Sequence, residues 1–187
     1  LRRKPKEQGA GADLVTTFTY EPRFNFIKTS TDSKGNITTY YYDYEEASLG
    51  DLNADGVTNR SSGDLVKIVY PKPAPEKESP NVSFIYNSFG QLESIKDPNQ
   101  AITRYEYYPQ TGYLAKTIQD YGTGKLNIAA SFSYDTLGNV TSITDPNGNT
   151  SSFTYDSHNN LIRLTRGLSP QGTVPEEITT YKYDAND

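Results

Sequence analysis

The densest grouping of oxygen-bearing side chains in this 187-residue chain is Gly50-Asp51-Leu52-Asn53-Ala54-Asp55-Gly56-Val57-Thr58-Asn59. Counted from Asp51, side-chain oxygens fall at positions 1, 3, 5 and 9, a glycine at 6, and the carbonyl of Val57 at 7. Alternate spacing of this kind wraps hard oxygen ligands around one cation, so the segment is a candidate calcium loop. Asp51, Asn53, Asp55 and Asn59 would supply side chains and Val57 its carbonyl. Position 12, where a carboxylate is expected, is Ser62, and the next carboxylate is Asp64, the candidate sixth ligand. Such an ion would stiffen the segment rather than catalyse. The competing reading is an acidic surface turn in which Asn53-Ala54-Asp55-Gly56 closes a long hairpin. Spacing alone leaves both open.

The first half of the motif resembles an EF-hand or dockerin loop, but the downstream flank Leu65-Val66-Lys67-Ile68-Val69-Tyr70 reads as a strand. It is thus more similar to calcium loops set between β-strands, as in integrin-like propellers. Other chemistry is scarce. The chain has no Cys and a single His, which excludes disulfides, thiolate nucleophiles, Cys-ligated zinc and any multi-histidine metal site. His158 lies in Asp156-Ser157-His158-Asn159-Asn160, a polar turn, where a solvated role is expected rather than that of a catalytic base backed by Asp156. Glu45 and Glu46, next to Asp43, could suggest the paired carboxylates of glycoside hydrolysis. On an extended segment, however, adjacent side chains point to opposite faces. No enzymatic constellation emerges.

These residues must be held by β-structure. The hydrophobic fraction is only 34%, yet the chain carries 16 Tyr and 7 Phe. A thick aliphatic core is therefore not expected, and burial must come largely from tyrosine. The net charge of -5 argues against a phosphate-tracking surface, so no nucleic-acid partner is expected despite the basic run Arg2-Arg3-Lys4-Pro5-Lys6. No apolar run approaches the roughly 20 residues of a membrane span, and nothing resembles a signal peptide. The chain reads as soluble. Opening at Leu1 and closing within Asp184-Ala185-Asn186-Asp187, it also reads as part of a longer polypeptide. Residues 1–17 are expected to be a flexible basic and Gly/Ala linker, and 18–187 a repeat region with an insertion at 50–64 and a Pro-rich loop at 71–81. Ser169–Pro175 is a second loop of that kind.

The repeat is an aromatic residue, any residue, then Tyr. It occurs at Phe18/Tyr20, Tyr40/Tyr42, Phe84/Tyr86, Tyr105/Tyr107, Phe132/Tyr134, Phe153/Tyr155 and Tyr181/Tyr183. Successive second tyrosines differ by 22, 44, 21, 27, 21 and 28 positions, a period near 21 with insertions. The gap of 44 is expected to hold a cryptic second unit at Gly63–Pro71. Each unit contains two turns: one after the Tyr, with Gly138, Gly90 or Gly112, and one at Asp145-Pro146-Asn147-Gly148, where Asn-Gly suits a tight hairpin. Thr-rich and aromatic stretches between the turns are strands. The spacing predicts an all-β fold, an array of antiparallel β-hairpins forming a curved, twisted sheet. The i, i+2 aromatics share a face and stack into a Tyr/Phe ladder. Apolar pairs three apart (Leu65/Ile68, Leu92/Ile95, Val140/Ile143, Leu161/Leu164) break alternation, which requires a bulge or two partly covered faces.

The pattern Tyr134-Asp135-x-x-Gly138, Asp145-Pro146-x-Gly148-Asn149, Phe153-x-Tyr155-Asp156 resembles the YD repeat of the Rhs family, and the resemblance extends from about Phe18 to Asp187. Because Tyr20-Glu21, Tyr86-Asn87 and Tyr107-Tyr108 depart from Tyr-Asp, the Asp is not expected to be catalytic. The resemblance implies sheets that spiral into part of a hollow β-shell, as in bacterial polymorphic toxins, insecticidal toxin complexes, wall-associated proteins and teneurins. It also implies a structural, non-catalytic role, partners in other repeats and a toxin or cargo domain of the same polypeptide, and an extracellular, secreted or cell-surface location. No segment matches the family's self-cleaving sequence. A carbohydrate- or cell-wall-binding module, using exposed Tyr rings against sugars, is the alternative.

Overall fold

The computed structural model describes residues 14–58, 60–168 and 176–184. Residues 1–13 of the expected linker at 1–17 and the loop at Ser169–Pro175 lie outside them. The chain divides after Ile85 into two compact units. The first contains β1 (Thr17–Tyr20), β2 (Ile27–Thr31), β3 (Ile37–Tyr42), β4 (Leu65–Val69) and β5 (Asn81–Tyr86), the last closing the unit. The second contains β6 (Leu92–Lys96), β7 (Ile102–Tyr107), β8 (Leu114–Gln119), β9 (Ile128–Tyr134), β10 (Val140–Thr144), β11 (Thr150–Tyr155), β12 (Leu161–Leu168) and β13 (Glu177–Thr180). Within each unit every strand pairs antiparallel with its neighbour in sequence, the all-β hairpin array that the repeat predicts.

Both kinds of turn are built the same way. At Asp135 the backbone N–H donates to the Asn139 carbonyl (2.9 Å), and the Gly138 N–H returns to the Asp135 carbonyl (3.2 Å). The Asp135 carboxylate accepts the N–H groups of Leu137 and Asn139, each at 2.9 Å, and the Asn139 side-chain amide at 3.0 Å. The same clamp recurs at Asp32/Asn36, Asp145/Asn149 and Asp156/Asn160. Asn87/Gln91 reproduces it with a neutral amide. The residue before the closing position takes a left-handed backbone, as at Gly138 (φ 90), Gly148 (φ 84) and Asn159 (φ 67). Asn147-Gly148 is therefore not the centre of a two-residue hairpin. It belongs to a three-residue loop that Asp145 closes, because the carboxylate satisfies two loop N–H groups that a shorter turn would leave to water.

A bulge follows each of these tyrosines. Tyr41 faces Lys67 while Tyr42 faces Leu65, leaving Val66 as the extra residue. The same step leaves Lys28, Ala115, Thr141 and Ile162 extra on β2, β8, β10 and β12. One inserted residue offsets the alternation, so apolar residues three apart fall on one face. The bulge accounts for the broken pattern, and the two adjacent buried residues Leu164 and Thr165 show that both faces of β12 are also partly covered.

The tyrosines do not form one continuous stack of rings. Their hydroxyls reach the first residue of the preceding strand instead: Tyr42 to the Ile27 carbonyl (2.8 Å), Tyr107 to Leu92 (2.7 Å), Tyr155 to Val140 (2.9 Å) and Tyr183 to Leu161 (2.9 Å). Ring contacts gather at two places, around Phe24, Phe26, Tyr42 and Tyr44 in the first unit and around Tyr108, Tyr113 and Tyr134 in the second. The aliphatic core is thin, as composition requires: among the described residues only Tyr42, Val66, Ile118 and Leu164 are buried hydrophobics.

Candidate functional site

The candidate calcium loop is an enlarged copy of the turn after the repeat tyrosine. The Asp43 N–H donates to the Asp64 carbonyl (2.9 Å), the bond that Asp135 makes to Asn139, but here residues 44–63 intervene. The fully buried Asp43 carboxylate closes them, accepting the N–H groups of Tyr44 (2.7 Å), Ser62 (2.7 Å) and Gly63 (2.9 Å). The gap of 44 is thus one repeat with both turns lengthened, the second through the Pro-rich loop between Tyr70 and Pro80, and Gly63–Pro71 is not the expected cryptic extra unit but holds β4, the first strand of that repeat. No aromatic anchor is displaced. Tyr42-Asp43 is the Tyr-Asp pair of this repeat.

Residues 43–49 are not extended as the sequence suggested. Asp43–Glu45 forms a 3-10 turn and Glu46–Leu49 one α-helical turn, capped by Gly50 at φ 83. Glu, Ala and Leu are good helix formers and Gly at the C-terminus is a helix stop. That signal was present in Glu45-Glu46-Ala47-Ser48-Leu49-Gly50, and it would have found the carboxylates that spacing missed. Glu45 pairs with Lys28 (2.6 Å) and accepts the Tyr42 N–H (2.9 Å), so it is part of the hairpin rather than of a hydrolytic pair. Glu46, 1% exposed, accepts the Leu52 N–H (3.1 Å) through Oε1, and its Oε2 is buried without a hydrogen-bond partner.

Within the loop, the Asp51 carboxylate accepts the N–H groups of Asp55 (3.1 Å) and Gly56 (2.7 Å), which hold its pKa below the ordinary value. Asn53 is buried; its amide donates to the Phe84 carbonyl (2.8 Å) and to Asp55 (3.1 Å), tying the loop to β5. Asp55 accepts the Val57 N–H (2.8 Å) and forms an ion pair with Arg60 (2.6 Å). Ala54 (φ 64) and Gly56 (φ 81) both take left-handed backbone, which curls residues 51–57. Asp64 lies at the loop's exit, where burial and the Asp43 charge push its carboxyl up against the pull of Arg60. Asn59 lies outside the described residues. Among the described residues no three Asp, Glu or His side chains converge as a preformed metal cage.

His158 is exposed in its turn, its N–H bonded to Asp156 and its ring 3.5 Å from the Ser157 hydroxyl, as expected of a solvated residue. In the second unit a concavity of about 550 Å³ is lined by Asn87, Phe89, Arg104, Tyr105 and Tyr108 among others. Arg104 is held there by Glu93 (3.4 Å), Glu106 (3.6 Å) and the ring of Tyr121 (5.0 Å).

Residues 134–174 match the RHS Repeat family model. No curated protein matches the chain. Solved structures do. The TcdB2-TccC3 structure without its hypervariable C-terminal region superposes with a TM-score of 0.67 at 22% identity, over 93% of this chain and 9% of that one. The TcdB2-TccC3-Cdc42 structure gives 0.65 at 22% identity, over 93% and 9%. The Tc holotoxin pore of Photorhabdus luminescens, carrying a TccC3 mutation, gives 0.64 at 18% identity, over 91% and 8%. The chain spans less than a tenth of the length of each of these. One copy of the repeat matches the family model, and the same clamp, bulge and tyrosine bond recur in the copies before it. Residues 134–174 thus match an RHS Repeat, and the chain as a whole shares the fold of the sheets in these Tc toxin structures.

Proposed function

We propose that the chain is a structural, non-catalytic wall segment of an exported or cell-surface Rhs-type protein. Its sheet would enclose or present a toxin or adhesive domain of the same polypeptide, with further repeats as its immediate partners. The observation that carries this reading is the use made of the tyrosines. Tyr42, Tyr107 and Tyr155 are at least partly buried, and each spends its hydroxyl on the backbone of the neighbouring strand. A residue committed to joining strands is built for a wall rather than for a ligand. The similarity to Tc toxin structures supports the same reading, and no helix among the described residues is long and apolar enough to cross a membrane.

Tyrosine nitration read by mass spectrometry tests it. Tyr42, Tyr107 and Tyr155 should stay protected while Tyr20, 55% exposed, reacts. Ready modification of all four would overturn the wall reading. A second reading, glycan or cell-wall binding, draws on the concavity of the second unit, whose rim carries Phe89 at 82% exposure. Titration with chitin and peptidoglycan oligosaccharides separates the two: a wall leaves the Phe89 and Tyr108 resonances in place, whereas saturable shifts abolished by Phe89→Ala would establish the binding module.

A further inference from the structure

We propose that residues 46–57 bind one calcium ion, and that the Glu46 carboxylate, which precedes the loop, supplies the ligand missing at loop position 12. The sequence offers three side-chain ligands in the first part of the loop, Asp51, Asn53 and Asp55, and then no acidic residue until Asp64. The structure shows a different carboxylate beside them. The helical turn Glu46–Leu49 ends at Gly50 and directs the chain back on itself, so that Glu46 Oε1 accepts the N–H of Leu52 within the loop. The other oxygen, Oε2, is buried with no donor. A buried carboxylate oxygen without a partner is costly, whereas buried charges that persist are paired or bound to metals.

The surroundings supply the charge such an ion would neutralise. Burial pushes the Glu46 carboxyl above its usual range, the charges of Asp55 and Asp51 push it the same way, and the Leu52 N–H and Arg60 oppose them. Asp64 shares Arg60 with Glu46 but feels Asp43 in place of Asp51 and Asp55. Contact assigns Glu46, not Asp64, to the loop: Glu46 Oε1 accepts the Leu52 N–H inside it, whereas Asp64 gives its carbonyl to the Asp43 N–H at the exit. Asn53 is already oriented, since its amide donates to the Phe84 carbonyl and to Asp55, leaving Oδ1 on the side of the loop backbone. Closure requires Asp55 Oδ2 to leave both Arg60 and the Asn53 amide for the ion, and it draws together carboxylates that do not yet converge. Hard oxygen donors, flexible spacing and a backbone carbonyl at Val57 suit calcium over magnesium, which demands a tighter octahedral shell. The ion would clamp the insertion to β5 through Asn53 and to the helical turn through Glu46.

The test is calorimetric titration of the chelator-treated 187-residue chain with calcium chloride, with thermal melting and a magnesium chloride control. The expected result is one saturable equivalent that raises the melting temperature, with magnesium giving little heat. Glu46→Gln should weaken binding by about tenfold or more, because ligand charge sets affinity in such loops. Glu46→Asp, which retains charge but shortens the reach, should weaken it as well, and Asp64→Asn should leave it nearly unchanged. Absence of saturable binding up to millimolar calcium overturns the site. Equal binding of magnesium overturns the choice of metal, and loss of binding in Asp64→Asn with retention in Glu46→Gln overturns the ligand assignment. If wild type ignores calcium while Glu46→Gln melts higher, Glu46 is a buried neutral acid and the proposal fails.

Discussion

The Asp135 turn and the Asp43 turn occupy equivalent places in their repeats, one in each unit, and differ only in what they enclose. Asp135 closes three residues with two backbone N–H groups and one side-chain amide. Asp43 closes residues 44–63 with three backbone N–H groups, two of them from the far end of the insertion. The strands on either side hardly notice, since each turn is followed by the same bulge. The lesson is that the carboxylate fixes the ends of the turn, not its length. Loop-closure entropy grows only slowly with length, so an insertion is tolerated wherever its two ends are held. The burden moves to the clamp: Asp135 is half-buried in a short turn, whereas Asp43 is fully buried.

If so, the largest effect should come from Asp43→Ala, which strands the Ser62 and Gly63 N–H groups and releases the insertion. A loss of roughly 3 kcal/mol is expected from charge-assisted hydrogen bonds of this kind, read as a shift of the urea midpoint. A loss no greater than that of Asp135→Ala would erase the distinction between the two turns. Next in size is Gly138→Ala. The left-handed backbone costs an L-residue about 1–2 kcal/mol, and the added methyl carbon would lie 2.6 Å from the Tyr113 hydroxyl. The same change at Gly90 (φ 77), where nothing lies nearby, should cost the backbone part alone, so the pair isolates the steric share. Tyr155→Phe removes one hydroxyl bond and should cost about 1 kcal/mol, with Tyr42→Phe costing more because Tyr42 is the more buried.

Acid is the gentlest probe, since it weakens every clamp a little rather than one completely. Three backbone N–H groups, from Phe26, Arg23 and Phe24, hold Glu21 down from 4.5 to about 2 despite the opposing effect of burial. Asn36, Asn139 and Asn149 likewise lower Asp32, Asp135 and Asp145. A folded value below the unfolded one means that these groups bind fewer protons when folded. Their contribution is complete above about pH 5 and is lost as the pH falls toward 2. Melting temperature followed from pH 7 to pH 2 should stay flat and then fall through that window. The Asn87 turn, which has no charge to lose, should open last by amide exchange.

Much of this was legible in the chain. The tyrosine period and the Asp-x-x-Gly-Asn turns recur, and recurrence averages out the local ambiguity of any one strand. What escaped was set by partners distant in sequence. The bulge at Val66 depends on how β4 meets β3, and only the pairing reveals that Leu65 and Ile68 share a face. Glu46 escaped for a different reason: a single helical turn is too short to show periodicity, so Glu45 and Glu46 read as strand. The i, i+2 aromatics predicted ring stacking, but the geometry favours hydroxyl-to-carbonyl bonds, because a ring leaning along its strand brings its oxygen over the neighbouring strand's first residue.

Pairing strictly between sequence neighbours has a kinetic consequence. Every ladder contact within a unit joins segments that leave the ribosome one after the other. Such a chain has little need to wait for its far end: each hairpin can close on the strand already laid down, and rates are highest where contacts are local. Asp43 is the exception, since its partners at Ser62 and Gly63 arrive late. Assembly should therefore run as a zipper that pauses once, at the insertion, and resumes when β4 docks.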